Sequence, residues 1–296
     1  MFTSLFHKEK KITKRNFDNA LLVDANAHRL LAEQGYVVFK NVLTKEEISY
    51  LKYLYIQYTT HDGFLRTDYY INSIGFDDNT IREELKQKTS QYLEPILARI
   101  YKSENTFFPL GGGFAINPAQ ATRGCLIHQD PTFVDEDKEF SMTTWISLDD
   151  TNTENGCIYA IPKSHLWGNK YRSVTLPWLF NACADALWQY MQPVPVNAGD
   201  ILCFDVALIH GSKENRTDKD RLAITMQALP KNTALRSYAP KSQFFIEEYE
   251  INGDYFINES QYQKPSKQYK RTKLLLAQPQ YTTADIFRII DQQNKD

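Results

Sequence analysis

The chain lacks the features that mark several whole classes of protein. It has only four cysteines, Cys125, Cys157, Cys183 and Cys203. They are widely separated, each lies in an apolar stretch, and none forms a C-x-x-C pair. That argues against a disulfide framework and for buried free thiols. No uninterrupted apolar run approaches membrane-spanning length. The start, MFTSLFHKEKKITKRNF, lacks the apolar segment of a signal peptide. A formal charge of −2 leaves no excess of positive charge for nucleic acid or an anionic membrane. No G-x-S-x-G elbow exists, so Ser164-His165 reads as part of a turn and not as a nucleophile. Gly111-Gly112-Gly113 is not followed by the lysine and helix start of a phosphate loop. His7, His28 and His61 have no metal-ligand spacing. The basic runs Lys8–Arg15 and Lys264–Lys273 read as solvated faces. The expectation is a cytoplasmic protein with no nucleic-acid or membrane partner, of open oligomeric state.

What is present is an ordinary globular composition, 42% hydrophobic and 24% charged over 296 residues. A chain of this length buries enough apolar surface to need no disulfide or structural metal. There is no internal repeat and no firm domain boundary. Residues 1–110 read as mainly helical. Asn26 to Gln34 forms a short helix stopped by Gly35, and Tyr36 to Phe39 a strand. Thr44-Lys45-Glu46-Glu47 is a capping box opening a helix to about Tyr58. Ile81 to Tyr101 is a further helix, interrupted by Pro95. From 111 to 230 the pattern changes to short strands: Gly113–Asn117, Ser141–Asp149, Cys157–Ile161, Ile201–His210 and Arg221–Leu229. Antiparallel strands so spaced suggest a double-sheet barrel or jelly roll, mainly β with flanking helices. Leu176–Met191 is a mostly apolar helix or irregular insert. Residues 231–296 form a polar, Tyr-rich extension packing on the core, closed by a helix over Thr282–Gln293.

The chemistry lies in His128, Asp130 and His210. On an extended strand, residues two apart point to the same face, so His128 and Asp130 can bind one metal together. The third ligand must come from another strand, and His210 closes the apolar run GDILCFDVALIH. Two histidines and one carboxylate hold one face of an iron(II) ion and leave the other open. Arg221 opens the strand RLAITMQAL after a polar turn, so a hairpin returns it towards His210. Strand parity puts Arg221, Ala223, Thr225 and Gln227 on one face and Leu222, Ile224, Met226 and Ala228 on the other. The same holds for Thr143, Trp145 and Ser147 against Met142, Ile146 and Leu148. An arginine fork near open metal positions suits the far carboxylate of a 2-oxo acid. Ser212 offers a further hydroxyl donor. Gln129 points away from its two neighbours and is not a ligand.

The chain resembles the phytanoyl-CoA dioxygenase family of iron(II)/2-oxoglutarate oxygenases. The matching text is HQD (128–130), TWISLDDTNTENGCIYAIPKSHLWG (144–168), GDILCFDVALIHGSKENRTDKDR (199–221) and GYVVFKNVLTKEEI (35–48). The resemblance spans roughly residues 25 to 230. It implies a single oxygenase domain with a double-stranded β-helix (jelly-roll, cupin-like) core. It also implies iron on His128, Asp130 and His210, with 2-oxoglutarate held by Arg221 and Ser212. Trp145 matches a family position beside the co-substrate, and Phe114 matches another more loosely. Arg66, Tyr69 and Tyr70 fall where family members bring substrate contacts. Asn117 either lines the pocket or ends its strand. The Leu176–Met191 insert and everything past Pro230 have no family match.

The expected reaction uses dioxygen and 2-oxoglutarate to hydroxylate an unactivated C–H bond of a small molecule, releasing succinate and CO2. With a carboxylate at Asp130, no ligand position is vacated for a halide, so hydroxylation is expected over halogenation. One alternative is a zinc hydrolase on the same three ligands, which lacks an H-E-x-x-H base and leaves Arg221 unexplained. Another is a non-catalytic barrel that keeps the ligands as a structural or sensing site.

Overall fold

The structure is a computed structural model that describes residues 17, 21–59, 67–73, 79–259 and 262–293. Helix α1 (Ala25–Gln34) starts where the Asp24 carboxylate accepts the Asn26 N–H at 2.8 Å. It ends at Gly35, whose φ of 86° is open to glycine without penalty. Strand β1 (Tyr36–Phe39) follows, then helix α2 (Lys45–Thr59). The capping box at its start is reciprocal: Thr44 N–H donates to Glu47 Oε2 at 2.8 Å, and Glu47 N–H donates to Thr44 Oγ1 at 3.2 Å. After the two-residue β2 (Ile71–Asn72) comes α3 (Asn79–Leu97). It stops short of the expected Tyr101. Pro95 sits in its last turn, and tighter turns take over, with Arg99 N–H on Ile96 O and Ile100 N–H on Leu97 O.

The β region comprises β3 (Thr106–Asn117), β4 (Met142–Ser147), β5 (Ile158–Ala160), β6 (Gln192–Val194), β7 (Ile201–Asp205), β8 (His210–Ser212) and β9 (Arg221–Pro230). The larger sheet runs β1-β7-β4-β9-β3-β2 and the smaller runs β6-β5-β8. All pairings within them are antiparallel. The chain passes back and forth between the sheets: β3 in the larger, the His128 segment bridged to β8 in the smaller, then β4, β5–β6, β7, β8 and β9 in turn. That winding is the double-stranded β-helix.

Strand parity builds the core. Leu222, Ile224, Met226 and Ala228 of β9, with Met142 and Ile146 of β4 and Ile201 and Cys203 of β7, face a core shared with α1, α2 and α3. Their neighbours Ala223, Trp145, Leu202 and Phe204 face inward, against Ile158, Ala160 and Val194 of the smaller sheet. Behind the smaller sheet, Cys157, Tyr159, Ile161 and Ile209 pack on Trp167, Phe180 and Leu187. Leu187 belongs to the one-turn α4 (Ala184–Leu187), and 176–191 is otherwise short 3-10 turns, so the insert is irregular.

Two expectations change here. The apolar run 201–210 is not one strand. After β7 the chain turns, with the Asp205 carboxylate accepting the Ala207 N–H at 2.7 Å and Asp205 O accepting the Leu208 N–H at 2.8 Å. His210 therefore begins β8 in the other sheet. For the same reason β8 and β9 are not a hairpin, since β9 pairs with β3 and β4. The third finding concerns the tail. Beyond Pro230 lies a three-stranded sheet of β10 (Arg236–Ser242), β11 (Phe245–Glu250) and β12 (Arg271–Leu276), with β11 in the middle. With the short α5 (Tyr255–Asn258) it packs on Phe133, Val134 and Leu229. Part of the basic run 264–273 is spent on two buried carboxylates: Lys264 and Arg271 pair with Glu247, and Lys273 with Glu248. The terminal helix, α6 (Thr283–Gln293), buries Ile286 and Ile289 against the smaller sheet's outer core. Among the described residues, no helix is long and apolar enough to cross a membrane.

Candidate metal centre

His128 is joined to β8 by a single bridge. His128 N–H donates to His210 O and His210 N–H to His128 O, both at 2.9 Å. A regular strand was expected through Asp130, but the pairing stops at His128. The bridge sets the imidazoles side by side, with ring centroids 4.3 Å apart. Each Nδ1 faces a carbonyl, His128 to Leu126 O at 2.7 Å and His210 to Leu208 O at 3.0 Å. A carbonyl only accepts, so each Nδ1 carries a proton and each Nε2 is turned towards Asp130. Against burial, Cys125 and Asp130 hold His128 well above its ordinary value, so its Nε2 proton must leave as a cation binds. Asp130 Oδ1 lies 3.3 Å from His128 Nε2 and 3.9 Å from His210 Nε2. All three ligand atoms fall within 4.8 Å of one another. The other carboxylate oxygen, Oδ2, accepts from the Thr143 hydroxyl.

The charges suit a cation. Burial works against ionising Asp130, but His210, His128 and the Thr143 hydroxyl outweigh it and hold the carboxyl well below its usual range. Burial, with His128 beside it, pushes His210 down to about 4, so this imidazole stays neutral. Phe204 packs against its ring at 4.4 Å between centroids.

Gln129 faces away, as parity requires. Its Nε2 donates to Ala207 O at 2.6 Å, and its Oε1 accepts from Asn169 Nδ2 at 2.8 Å and Trp178 Nε1 at 3.2 Å. The ligand tripeptide is thereby tied to the turn that leads into His210.

Arg221 opens β9 opposite Asn117 of β3. It is buried, with one long contact from Nη1 to Ala115 O at 3.4 Å, and its guanidinium lies 5.2 Å from the centre of the Trp145 ring. Nε and Nη2 have no hydrogen-bond partner among the described residues. Burial draws its pKa below the ordinary value. A buried guanidinium with two idle donors is costly unless an anion meets it. Ser212, on β8 opposite Ile158, is buried too. Its Oγ accepts the Cys125 N–H at 3.0 Å, which leaves its own proton for a further acceptor.

The remaining expected residues divide. Trp145 lies on the inward face beneath Arg221. Phe114 does not: it pairs with Ile224, shares the helix-side core and packs on Tyr55 at 5.5 Å between ring centres. Its neighbour Ala115 holds the inward position. Tyr70 packs on the inward cluster, and continuing the Ile71–Ile116 register puts it opposite Asn117. Burial and nearby Cys125 push its phenol up, against the opposing charge of Arg221. Asn117 is buried; Nδ2 donates to Lys213 O at 3.0 Å, while Oδ1 has no partner among the described residues. Arg66 lies outside the described residues.

Two residues around Asp130 were not singled out from the sequence. Thr143 had a usable signal, its place on the polar face of β4. Arg172 had none, since it lies outside any strand or helix. Its Nε donates to Asp130 O at 2.9 Å, and its fork pairs with buried Glu136 at 2.8 and 2.5 Å.

Residues 31–223 match the family Phytanoyl-CoA dioxygenase (PhyH). A Mus musculus phytanoyl-CoA dioxygenase domain-containing protein 1 is 30% identical over 110 residues, which cover 34% of this chain and 38% of that protein. The Oryza sativa subsp. japonica phytanoyl-CoA dioxygenase 1 is 32% identical over 106 residues, covering 34% and 37%. The matched stretch thus spans under two fifths of these curated relatives. Among solved structures, the non-heme α-ketoglutarate-dependent carbocyclase SnoK from nogalamycin biosynthesis has 21% identity and a TM-score of 0.50, covering 73% of this chain and 87% of its own. HygX from Streptomyces hygroscopicus, solved with nickel and 2-oxoglutarate, has 17% identity and a TM-score of 0.50, covering 71% and 88%. At such identities the structural likeness speaks for the fold.

Proposed function

The chain belongs to the phytanoyl-CoA dioxygenase family, and from that premise we propose that it is an iron(II)/2-oxoglutarate-dependent oxygenase that hydroxylates an unactivated C–H bond of a small molecule. The observation that carries this reading is the pairing of two features on the inward faces of the sheets. One is a His-Asp-His set with both Nε2 atoms turned to the same carboxylate oxygen. The other is a buried arginine with two idle donors. A zinc hydrolase accounts for the first feature and leaves the second without purpose.

His128 Nε2, His210 Nε2 and Asp130 Oδ1 would hold the iron, and Arg221 with Ser212 would hold the far carboxylate of 2-oxoglutarate. Bound iron would supply the electrons that activate dioxygen, coupling conversion of 2-oxoglutarate to succinate and CO2 with insertion of one oxygen atom into the substrate. The chain's own work is orientation. The Nδ1–carbonyl bonds fix both ring planes, and the Trp145 face keeps the Arg221 fork in one plane. Apolar Phe204, Leu202 and Ala223 keep bulk water from the space between the sheets. Tyr70 and Asn117 lie beside Arg221 and are assigned to the substrate side of the pocket.

The test is succinate release in a substrate panel with iron(II), 2-oxoglutarate and dioxygen, read by mass spectrometry for a gain of one oxygen. His128→Ala and Asp130→Ala should abolish succinate formation. Turnover like the wild type in either variant, or hydrolysis that needs zinc and no dioxygen, would overturn the assignment. SnoK is named as a carbocyclase, and SnoN, a second solved structure similar to this chain, as an epimerase. A product that releases succinate but gains no oxygen would therefore keep the co-substrate and replace hydroxylation.

A further inference from the structure

We propose that Asp130 is kept a one-oxygen ligand by two positioning residues that would not touch the metal, Thr143 and Arg172. The inference rests on the reading of His128, Asp130 and His210 as a metal site.

Asp130 needs outside support because sheet pairing ends before it. His128 is bridged to His210, but no ladder holds the main chain at 129–131. Side-chain donors from separate elements replace that ladder. Arg172 Nε donates to Asp130 O at 2.9 Å, and Gln227 Nε2 of β9 donates to Pro131 O at 2.9 Å. Thr143 of β4, paired across the sheet with Gln227 on one side and Phe204 on the other, gives its hydroxyl to Asp130 Oδ2. The carboxylate is thus fixed at both ends. Its main chain cannot slide, and one of its oxygens is already engaged. Oδ1 alone faces the two imidazole Nε2 atoms.

The energetics favour a geometric role for Arg172. It and Glu136 are both buried, and a buried ion pair returns little net stability for its desolvation. Its value lies in direction. Two guanidinium nitrogens locked on Glu136, one of them also on Asn169 O, leave Nε aimed at one carbonyl. A carboxylate released from Thr143 can turn and offer both oxygens to one cation, filling a position that the co-substrate needs.

The experiment titrates metal-free protein with cobalt(II) without oxygen, reading affinity, the d–d absorption band and then 2-oxoglutarate affinity. Thr143→Val removes the hydroxyl at nearly constant volume. Thr143→Ser keeps it. Arg172→Lys keeps the charge opposite Glu136 and loses the Nε donor. Thr143→Val and Arg172→Lys should each lower cobalt affinity about 10–100-fold and shift the d–d band. Thr143→Ser should stay close to wild type, and folded Thr143→Val should melt near wild type without metal; Arg172→Lys, which also gives up the two-nitrogen fork on Glu136, should melt earlier. Should one variant fail to fold, the other decides. Wild-type affinity and spectrum in a folded Thr143→Val or Arg172→Lys protein would overturn the proposal, even if that variant melted earlier. Wild-type protein that binds no cobalt would instead overturn the metal reading beneath it.

Discussion

Replacing Arg221 with Met should make the ligand-free protein more stable while destroying its response to 2-oxoglutarate. The side chain is buried and, among the described residues, its Nε and Nη2 have no partner and its one hydrogen bond is long at 3.4 Å. Each orphaned buried donor costs about 1–3 kcal/mol. Removing two of them recovers about 2–4 kcal/mol on the cautious side of that range. Against this stands the loss of the stacking on Trp145, worth about 2 kcal/mol when desolvated. Methionine fills a similar volume, so the cavity cost is small. The net is a gain of up to about 2 kcal/mol, which raises the melting temperature by up to a few degrees in a chain of this size. Ligand reverses the order. With a redox-inert divalent metal and 2-oxoglutarate at about 100 times its Kd, the wild type gains about 2.7 kcal/mol and the variant nothing. Thermal melts of both proteins, with and without metal and 2-oxoglutarate, should therefore cross. A variant that melts lower without ligand and still rises with 2-oxoglutarate would refute both the idle-donor argument and the carboxylate assignment.

Glu247 makes the C-terminal sheet acid-sensitive. Its carboxyl is pulled down to about 2, first by Lys264, then by Tyr249 and, against burial, by Arg271, from an ordinary value of 4.5. The folded value is depressed, so its stabilisation is fully present above about 4.5 and is lost as pH falls towards 2. Glu247→Gln should be less stable than wild type near neutrality, with the gap closing over that window in pH-dependent melts. A gap that stays constant with pH refutes the linkage. Gly35→Ala should cost about 2 kcal/mol or more in urea unfolding. Its φ of 86° is unfavourable by about 1–2 kcal/mol for an L side chain. The new Cβ would also lie 2.6 Å from His165 Nδ1 and 2.7 Å from Leu208 Cδ1. A neutral result would show that the Gly35 turn relaxes freely.

Much of the site was legible because its chemistry is written in residue types. His128, Asp130 and His210 were grouped from residue type alone, and the structure brings their ligand atoms within 4.8 Å of one another; parity alone assigned both faces of β4 and β9. What failed depends on the third dimension. Residues 201–209 are all buried, and the one polar residue among them, Asp205, marks the turn at Val206 that carries the chain from one sheet to the other; in a run otherwise apolar it was read as part of the strand. Phe114 was placed by matching a strand position, yet β3 carries register shifts between Phe107 and Leu110 and between Leu110 and Gly113. A slip of one residue turns a side chain to the opposite face. The C-terminal sheet was hidden by its own composition. Pro240 and the adjacent Glu247 and Glu248 read as surface; their lysine and arginine partners, with the hydroxyls of Tyr249 and Thr272, make burial tolerable.

The position of β9 has a consequence for how the molecule is made. It is the last strand of the larger sheet in the chain, yet it lies between β4 and β3, which have no contact ladder with each other. A chain emerging from the ribosome therefore carries two unpaired strand edges and an unclosed ligand set until the segment from His210 to Pro230 is free. Both problems end together when β9 inserts, because the same stretch delivers the third ligand, His210, and the arginine. Non-local closure of this kind is slow and leaves edges open to wrong partners. An early-stopped product ending before residue 210 should thus aggregate and ignore metal, and iron should act on the finished fold and not on its assembly.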